Sequence, residues 1–518
     1  MADKPSAAAE TLAADAIVVG SGAAGLTAAL TAARAGLRTV VLERTAWLGG
    51  TSAMSGGLIF APGSRLAREA GQDSSPQTVA DYLESVARRP IDGSLLDAFL
   101  AAAPAMVDEL TDAGVAFRLT GLVDYYRDAP GAEAGHVIAT QPFDPADLGE
   151  FAARIRRSPY RDSEPAPWVS GMSVIANLVA ACVRAGVEFR TNTRVRRLDR
   201  ADGVITGVSA QGPNGDLTVS APHVVLASGG FEFNRDLVQQ WVHGPLEGAW
   251  SCPGNEGDGF LMARSAGSGL SWTGEVQWYA LLRLSDDDLE GAPLMADASP
   301  ARNLPGSIIV DRHGKRFANE STLFQDFGRA LADPDIDRRP AWLVMDARFL
   351  DKYGETAFGH RKLGPPHWLM ADSIAALAEK IGVPGAGLED TVSRFNKGAR
   401  EGHDPEFRRG ESITDQEWGD GDQSGGRTCL APLEAAPYAA TRVYAGCSGT
   451  TGGPTIDGES RVLDENGAPI AGLYAAGNIV AGLFGDAAPA SGSTLGPGMT
   501  FGYLAGRAIA RSAVATPA

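Results

Sequence analysis

Gly20, Gly22 and Gly25 stand in the spacing G-x-G-x-x-G inside "VVGSGAAGLTAAL", and Glu43 follows eighteen residues after the last of them. A tight turn, close approach of backbone to a pyrophosphate, and close packing of helix on strand each call for one such glycine. A carboxylate at that distance can accept both hydroxyls of an adenosine ribose, so the chemistry is dinucleotide binding. The following segment, "RTAWLGGTSAMSGGLIFAPG", adds Gly49, Gly50, Gly56 and Gly57 with Thr51, Ser52 and Ser55 between them. These supply further N–H and hydroxyl donors for a long, diphosphate-containing cofactor and favour FAD over a nicotinamide dinucleotide. A third bare stretch, "GDAAPASGSTLGPGMTFGYLAG" over 485–506, runs into an amphipathic helix and reads as a ligand cradle at a helix N-terminus.

Such residues need elements to hold them. Ala16–Val19 has the composition of a buried strand, Leu26–Ala35 that of a helix closed by Gly36, and "LRTVVLE" that of a returning parallel strand. "APHVVLASGGFEFN" is a strand ending in Ser228, Gly229 and Gly230, and "GLYAAGNIVAG" is another that ends in small residues. Three strands ending in glycine converge at the C-terminal edge of one sheet, where α/β folds bind ligands. The cradle at 485–506 is therefore expected to face the redox ring of a flavin. Between these pieces the periodicity predicts two helices in "DYLESVARR…DAFLAAAPAMVDELTDAG". From about 285 onward the character changes: "SIIVDRHGKRFANES" reads as strand, turn, strand, and "AWLVMDARFLDKYG" as strand and helix. The expected fold class is α/β. A Rossmann-like FAD-binding domain lies in two pieces, 1–284 and 447–518, with an inserted α+β cap/catalytic domain over 285–446.

The 518 residues carry a net charge of −18 with a pI near 4.9, which argues against nucleic acid or an anionic membrane surface as partner. Cys182, Cys252, Cys429 and Cys447 are far apart and form no C-x-x-C, so neither a metal site nor a disulfide frame is suggested. Buried thiols in a reducing cytosol are the expectation. The N-terminus lacks the pattern of a secretory signal, and no run of eighteen apolar residues exists to span a bilayer. A cytoplasmic protein with a short disordered leader is expected.

Together, "VVGSGAAGLTAAL", "LERTAWLGGTSAMSGG", "VVLASGGFEFN", "NEGDGFLMA", "IIVDRHGKRFANES", "GCSGTTGGPTID", "GLYAAGNIVAG" and "STLGPGMTFGYLAG" resemble the fumarate reductase and 3-ketosteroid dehydrogenase superfamily of FAD enzymes, over about residues 15–512. Within it, "VDYYRDAPG", "TQPFDPADLG" and Trp278-Tyr279 are most similar to the 3-ketosteroid Δ1-dehydrogenase branch, which removes two hydrogens next to a ring ketone. The resemblance implies a noncovalent FAD held by Gly20, Gly22, Ala23, Ala24, Gly25, Glu43 and Arg44. It adds Gly50, Thr51, Ser52, Ser55, Gly56 and Gly57 from the second segment, and Ser228, Gly229 and Gly230 from the third strand. Gly477, Asn478, Gly492, Thr494 and Leu495 complete the set. A dicarboxylate reductase of this superfamily needs an arginine within 485–494 and a histidine pair near 448–449. This chain has no base in the first segment and Ser448-Gly449 at the second. It also departs from the ketosteroid pattern, with Phe324 where that branch carries its catalytic tyrosine and Ala488 where it carries its ketone-binding tyrosine.

Desaturating a ketone needs a base for the α-proton, a donor for the developing enolate and a flavin to accept the β-hydride. Gly492 N–H at a helix entrance is the candidate donor. Tyr125 and Tyr126 are the first candidate bases, since paired tyrosines can activate one another, with Tyr279 and Tyr444 behind them. The expected substrate is a cyclic ketone, either a 3-ketosteroid or a smaller cyclohexanone, and the electron acceptor an external quinone or dioxygen. Reduction of an activated alkene and flavin binding without turnover stand as alternatives.

Overall fold

The computed structural model describes residues 10–72, 75–160, 166–358 and 368–515, so most of the leader lies outside the described residues. The chain forms two compact units. The first comprises 1–241, 254–275 and 449–518; the second comprises 242–253 and 276–448. The second unit thus takes in a short earlier segment and begins nine residues before the 285 read from composition.

In the first unit a six-stranded sheet runs in the order Arg461–Leu463, Pro469–Ala475, Val224–Leu226, Ala16–Val19, Thr39–Leu42, Glu188–Arg190. All neighbours are parallel except the edge pair formed by the first two strands. Every residue of Ala16–Val19, Thr39–Leu42 and Val224–Leu226 is buried, the continuous apolar pattern of strands covered on both faces. Register aligns their ends: Val19 lies opposite both Leu42 and Leu226, and Leu226 opposite Ala475. Gly20, Ser228 and Gly477 therefore leave the sheet side by side, as the glycine-ended strands predicted.

The first helix is Ala23–Arg34; it starts three residues earlier than the composition indicated, because Gly22 is extended and serves as N-cap, and it ends one residue earlier. It packs against the C-terminal helix Leu495–Ala515. A Cβ at Gly502 would overlap the Ala24 carbonyl, and one at Gly506 would lie 2.7 Å from Thr31 Cβ, so these glycines let two backbones meet. Two smaller sheets complete this unit. In one, Glu10–Ala13 pairs with Gly215–Ser220, followed by Val204–Gly212 and Arg194–Ala201. In the other, Val137–Thr140 lies between Leu58–Phe60 and Phe117–Leu119. The two predicted helices are Pro76–Val86 and Gly93–Asp112.

The second unit is built on a seven-stranded sheet whose main path runs Ala292–Asp297, Val276–Leu289, Tyr438–Thr450, Ala341–Met345, Ser307–Val310, with Gly248–Ala249 and Leu369–Ala371 also paired to Tyr438–Thr450. The expected strand, turn, strand at 307–321 is only half formed. Ser307–Val310 is a strand, but 315–321 is irregular and is held by charges instead. Buried Arg316 grips Glu320 at 2.6 Å and Asp404 at 2.7 Å, and buried Arg409 reaches Glu320 at 3.3 Å, Ser321 Oγ at 3.0 Å and the Ser307 carbonyl at 2.7 Å. These bonds pair the buried charges and hold the segment in place without a strand pairing.

Candidate active site

The glycines around the sheet edge fall into two groups. A Cβ at Gly20 or Gly25 would overlap the carbonyls of Ala227 or Gly20, and one at Gly57 would strike Ser170 backbone; these positions close the turn itself. A Cβ at Gly56 would meet no protein atom within 4 Å, and one at Gly22 would meet only Ser52 Oγ at 3.5 Å. Nothing in the protein requires those two to be bare, so they leave room for something larger than protein. Gly22 caps its helix without a side chain, and of the first-turn amides Ala23 N donates to Ser52 Oγ at 3.1 Å. The uncapped turn, carrying the positive end of the helix dipole, suits a diphosphate.

Other residues expected around the cofactor have protein partners that the sequence did not reveal. Glu43 Oε2 accepts from Ser21 N at 3.2 Å and Ser21 Oγ at 2.6 Å, while Oε1 accepts from Thr45 N at 2.9 Å and Thr45 Oγ1 at 3.0 Å. The carboxylate ties the glycine turn to the end of the second strand, and of its donors only the two hydroxyls can turn away for a ribose. Arg44 reaches the Gly254 carbonyl at 2.8 Å and Glu256 at 3.0 Å. Thr51 Oγ1 accepts from Asn255 Nδ2 at 3.1 Å; Ser55 Oγ donates to the Ser52 carbonyl at 2.8 Å and accepts from Gly57 N at 3.1 Å. A Cβ at Gly229 would sit 2.5 Å from Asn255 Oδ1, at Gly230 it would overlap Thr450 Oγ1, and the Ser228 hydroxyl faces Gly259. Gly477 has φ +84°, and Asn478 Nδ2 lies against Gly449.

The stretch 485–506 departs from the sequence expectation. Cβ atoms would lie 2.5 Å from the Trp272 ring at Gly485 and 2.6 Å from the Leu58 carbonyl at Gly492, and would overlap the Phe60 carbonyl at Gly496. Most of this bareness is spent on close backbone packing. The helix begins only at Leu495. Thr494 directly precedes that start.

What the stretch does carry is a set of contacts to the Tyr125 loop. Tyr125 N donates to the Pro489 carbonyl at 2.9 Å, and Ser491 Oγ donates to the Tyr125 hydroxyl at 2.9 Å. Gly492 follows with φ +83°, its carbonyl accepting from Phe60 N at 3.2 Å. Tyr126 is brought to the same place, but its ring packs against the apolar cluster that contains Tyr82 and Phe484. Buried Tyr82 donates its hydroxyl to the same Pro489 carbonyl at 2.5 Å and accepts from Tyr126 N at 3.4 Å. Burial, with the Asp124 charge adding to it, pushes the Tyr82 phenol far above the usual tyrosine range. Asp124 and His136, both buried, pair at 2.7 Å immediately beside Tyr125. Tyr82, Asp124, His136 and Ser491 had no local signal, since Tyr82 and Pro489 are 407 residues apart.

Tyr279 belongs to the second unit. Its ring stacks on Phe324 at 4.2 Å and 8°, and Trp250 meets it edge-on at 5.5 Å. Phe324 opens a helix, Phe324–Leu331. Tyr444 lies under the Arg442 guanidinium at 4.6 Å.

A parallel sheet with a glycine turn, an uncapped helix N-terminus and a terminal carboxylate defines a dinucleotide-binding protein, and the open Gly56 of the second Gly/Ser segment suits the longer FAD. The chain belongs to the FAD binding domain family FAD_binding_2, whose model matches residues 15–495. It is 39% identical to 4-oxocyclohexanecarboxylate 2-dehydrogenase of Sinomonas cyclohexanicum, across 96% of this chain and 93% of that one. It is 32% identical to 3-oxosteroid 1-dehydrogenase of Mycobacterium tuberculosis strain H37Rv, across 96% and 98%. The crystal structure of 3-ketosteroid delta1-dehydrogenase from Sterolibacterium denitrificans matches with a TM-score of 0.88 at 30% identity, covering 96% of this chain and 100% of that one. The protein is an FAD-dependent oxidoreductase, and the open glycines and uncapped turn fit that cofactor. Among the described residues no helix is long and apolar enough to cross a membrane.

Proposed function

We propose that this flavoprotein introduces a carbon–carbon double bond next to a ring ketone, losing a proton from the α-carbon and a hydride from the β-carbon. The observation that carries the reading is the Tyr125 hydroxyl held by Ser491, one residue from the Gly492 turn that leads into helix Leu495–Ala515. An α-proton is barely acidic until its carbonyl is polarised. Gly492 N–H donates to the ketone oxygen, and the nearby helix N-terminus adds positive potential as enolate charge develops. Tyr125 takes the α-proton; the O–H that Ser491 donates into its oxygen is the kind of contact that steadies a phenolate. FAD, when bound, supplies the two-electron acceptor for the hydride. It would be held by Gly20, Gly22, Ala23, Ala24 and Gly25 at the pyrophosphate, with Glu43 toward the ribose and the segment from Gly50 to Gly57 alongside. Ala488, fully buried, offers no hydroxyl to the ketone, which leaves that task to Gly492.

The substrate is a small ring ketone of the cyclohexanone type, with a 3-ketosteroid second, following the order of identity among the relatives. Four buried free thiols suit a reducing cytoplasm, and electrons leave to an external quinone or dioxygen. Anaerobic titration of the yellow enzyme tests the reading. Bleaching by 4-oxocyclohexanecarboxylate or a 3-ketosteroid supports it. Reoxidation of chemically reduced enzyme by an enone, without any bleaching by ketone, would overturn it in favour of an alkene reductase.

A further inference from the structure

We propose that Tyr82 is a positioning residue, fixing Tyr125 and Gly492 relative to one another through the carbonyl of Pro489. The inference rests on the reading of Tyr125 and Gly492 as the reacting pair. These two groups come from segments more than 360 residues apart, and each is on irregular backbone. Irregular backbone holds a geometry only if its polar groups are tied down. Pro489 has no N–H, so the carbonyl is the one backbone polar group of its own through which this residue can be tied down. That carbonyl takes two donors, Tyr125 N at 2.9 Å and Tyr82 Oη at 2.5 Å, which fill both lone pairs. The Tyr82 oxygen in turn accepts from Tyr126 N at 3.4 Å, so one phenol bridges the tyrosine loop and the turn before Gly492.

Tyr82 is itself immobile. It is fully buried in helix Pro76–Val86, and a Cβ at Gly131 would lie 3.1 Å from Tyr82 Cβ, so the loop after Tyr126 is pressed against it. Held neutral by burial, its phenol donates one hydrogen bond and accepts another at any working pH, and it is no base. On the other side of the turn, Phe60 N grips the Gly492 carbonyl at 3.2 Å. The turn is thus caught between a strand and a buried phenol, and the phenol also holds the loop bearing the base.

The test uses FAD-loaded full-length enzyme and Tyr82→Phe, which keeps the ring and removes the bridge. Single-amide hydrogen exchange in the wild type is expected to show Tyr125 and Tyr126 N–H protected over the exposed Asp128 N–H. In the variant their exchange is expected to rise about fivefold, the equivalent of one net hydrogen bond. With ketone, kcat falls by about ten- to a hundredfold while KM stays within about twofold, as loss of alignment without loss of binding requires. Unprotected amides in the wild type overturn the proposal without any variant. So do unchanged exchange in Tyr82→Phe, or a lowered melting temperature with kcat unmoved. Because exchange needs no ketone, failure to bleach would sink the proposed reaction and leave the bridge standing.

Discussion

Tyr125→Phe separates the chemistry from the fold more cleanly than any other single change. The ring is retained, and the bond from Tyr125 N to the Pro489 carbonyl is a backbone contact that the substitution does not touch. Losing the contact with Ser491 Oγ from this half-buried site costs about 1 kcal/mol, which moves the melting temperature by about 2–4 °C. Removing a positioned proton acceptor costs a factor of about 10²–10⁴ in rate, or roughly 3–5 kcal/mol of barrier. The assay is anaerobic stopped-flow bleaching of the flavin by ketone, with FAD content and melting temperature measured on the same preparation. A folded, flavin-loaded variant that bleaches within about threefold of the wild-type rate refutes the assignment of Tyr125, because a barrier change that small is below what loss of a base entails.

Other expectations follow from the same geometry. Glu320→Gln leaves Arg316 and Arg409 buried against a neutral amide and should destabilise the protein by about 3–5 kcal/mol in denaturant unfolding. Burial raises the carboxyls of Glu320 and Asp404, but the charge and hydrogen bonds of Arg316 outweigh it and hold both below the usual carboxylate range. Such groups contribute fully above their unfolded pKa near 4 and lose that contribution as pH falls through the folded value. The unfolding midpoint should therefore be flat from about pH 7 to 5 and drop below about pH 4, less steeply in Glu320→Gln. Gly20→Ala, at φ +105° and against the Ala227 carbonyl, should yield protein with little flavin by visible absorbance, whereas Gly56→Ala should keep its fold by circular dichroism and weaken FAD alone. Stripping FAD should lower unfolding stability by about 4 kcal/mol relative to enzyme at a thousandfold excess over Kd, read from melts with and without added cofactor.

Much of the candidate cofactor site was legible in the chain because its parts are local. Gly20, Gly22, Gly25 and Glu43 lie within one strand, helix, strand unit, where backbone sterics and a fixed helical rise set the spacing, and each buried strand advertises itself by unbroken apolar residues. Even there, composition could not distinguish a glycine kept for a ligand from one kept for packing. Gly56 and Gly496 look alike as letters, yet one faces open space and the other the Phe60 carbonyl. The run after Val310 reads as a turn and a second strand, while its real support is a charge network completed by Asp404 and Arg409. Which of the candidate groups meet was decided by tertiary structure. Tyr125 and Tyr126 are adjacent and chemically identical in sequence; only the fold gives Ser491 to one and a packed apolar surface to the other. Tyr82 meets Pro489 across 407 residues, and a contact made by chain closure leaves no periodicity behind for a sequence to show.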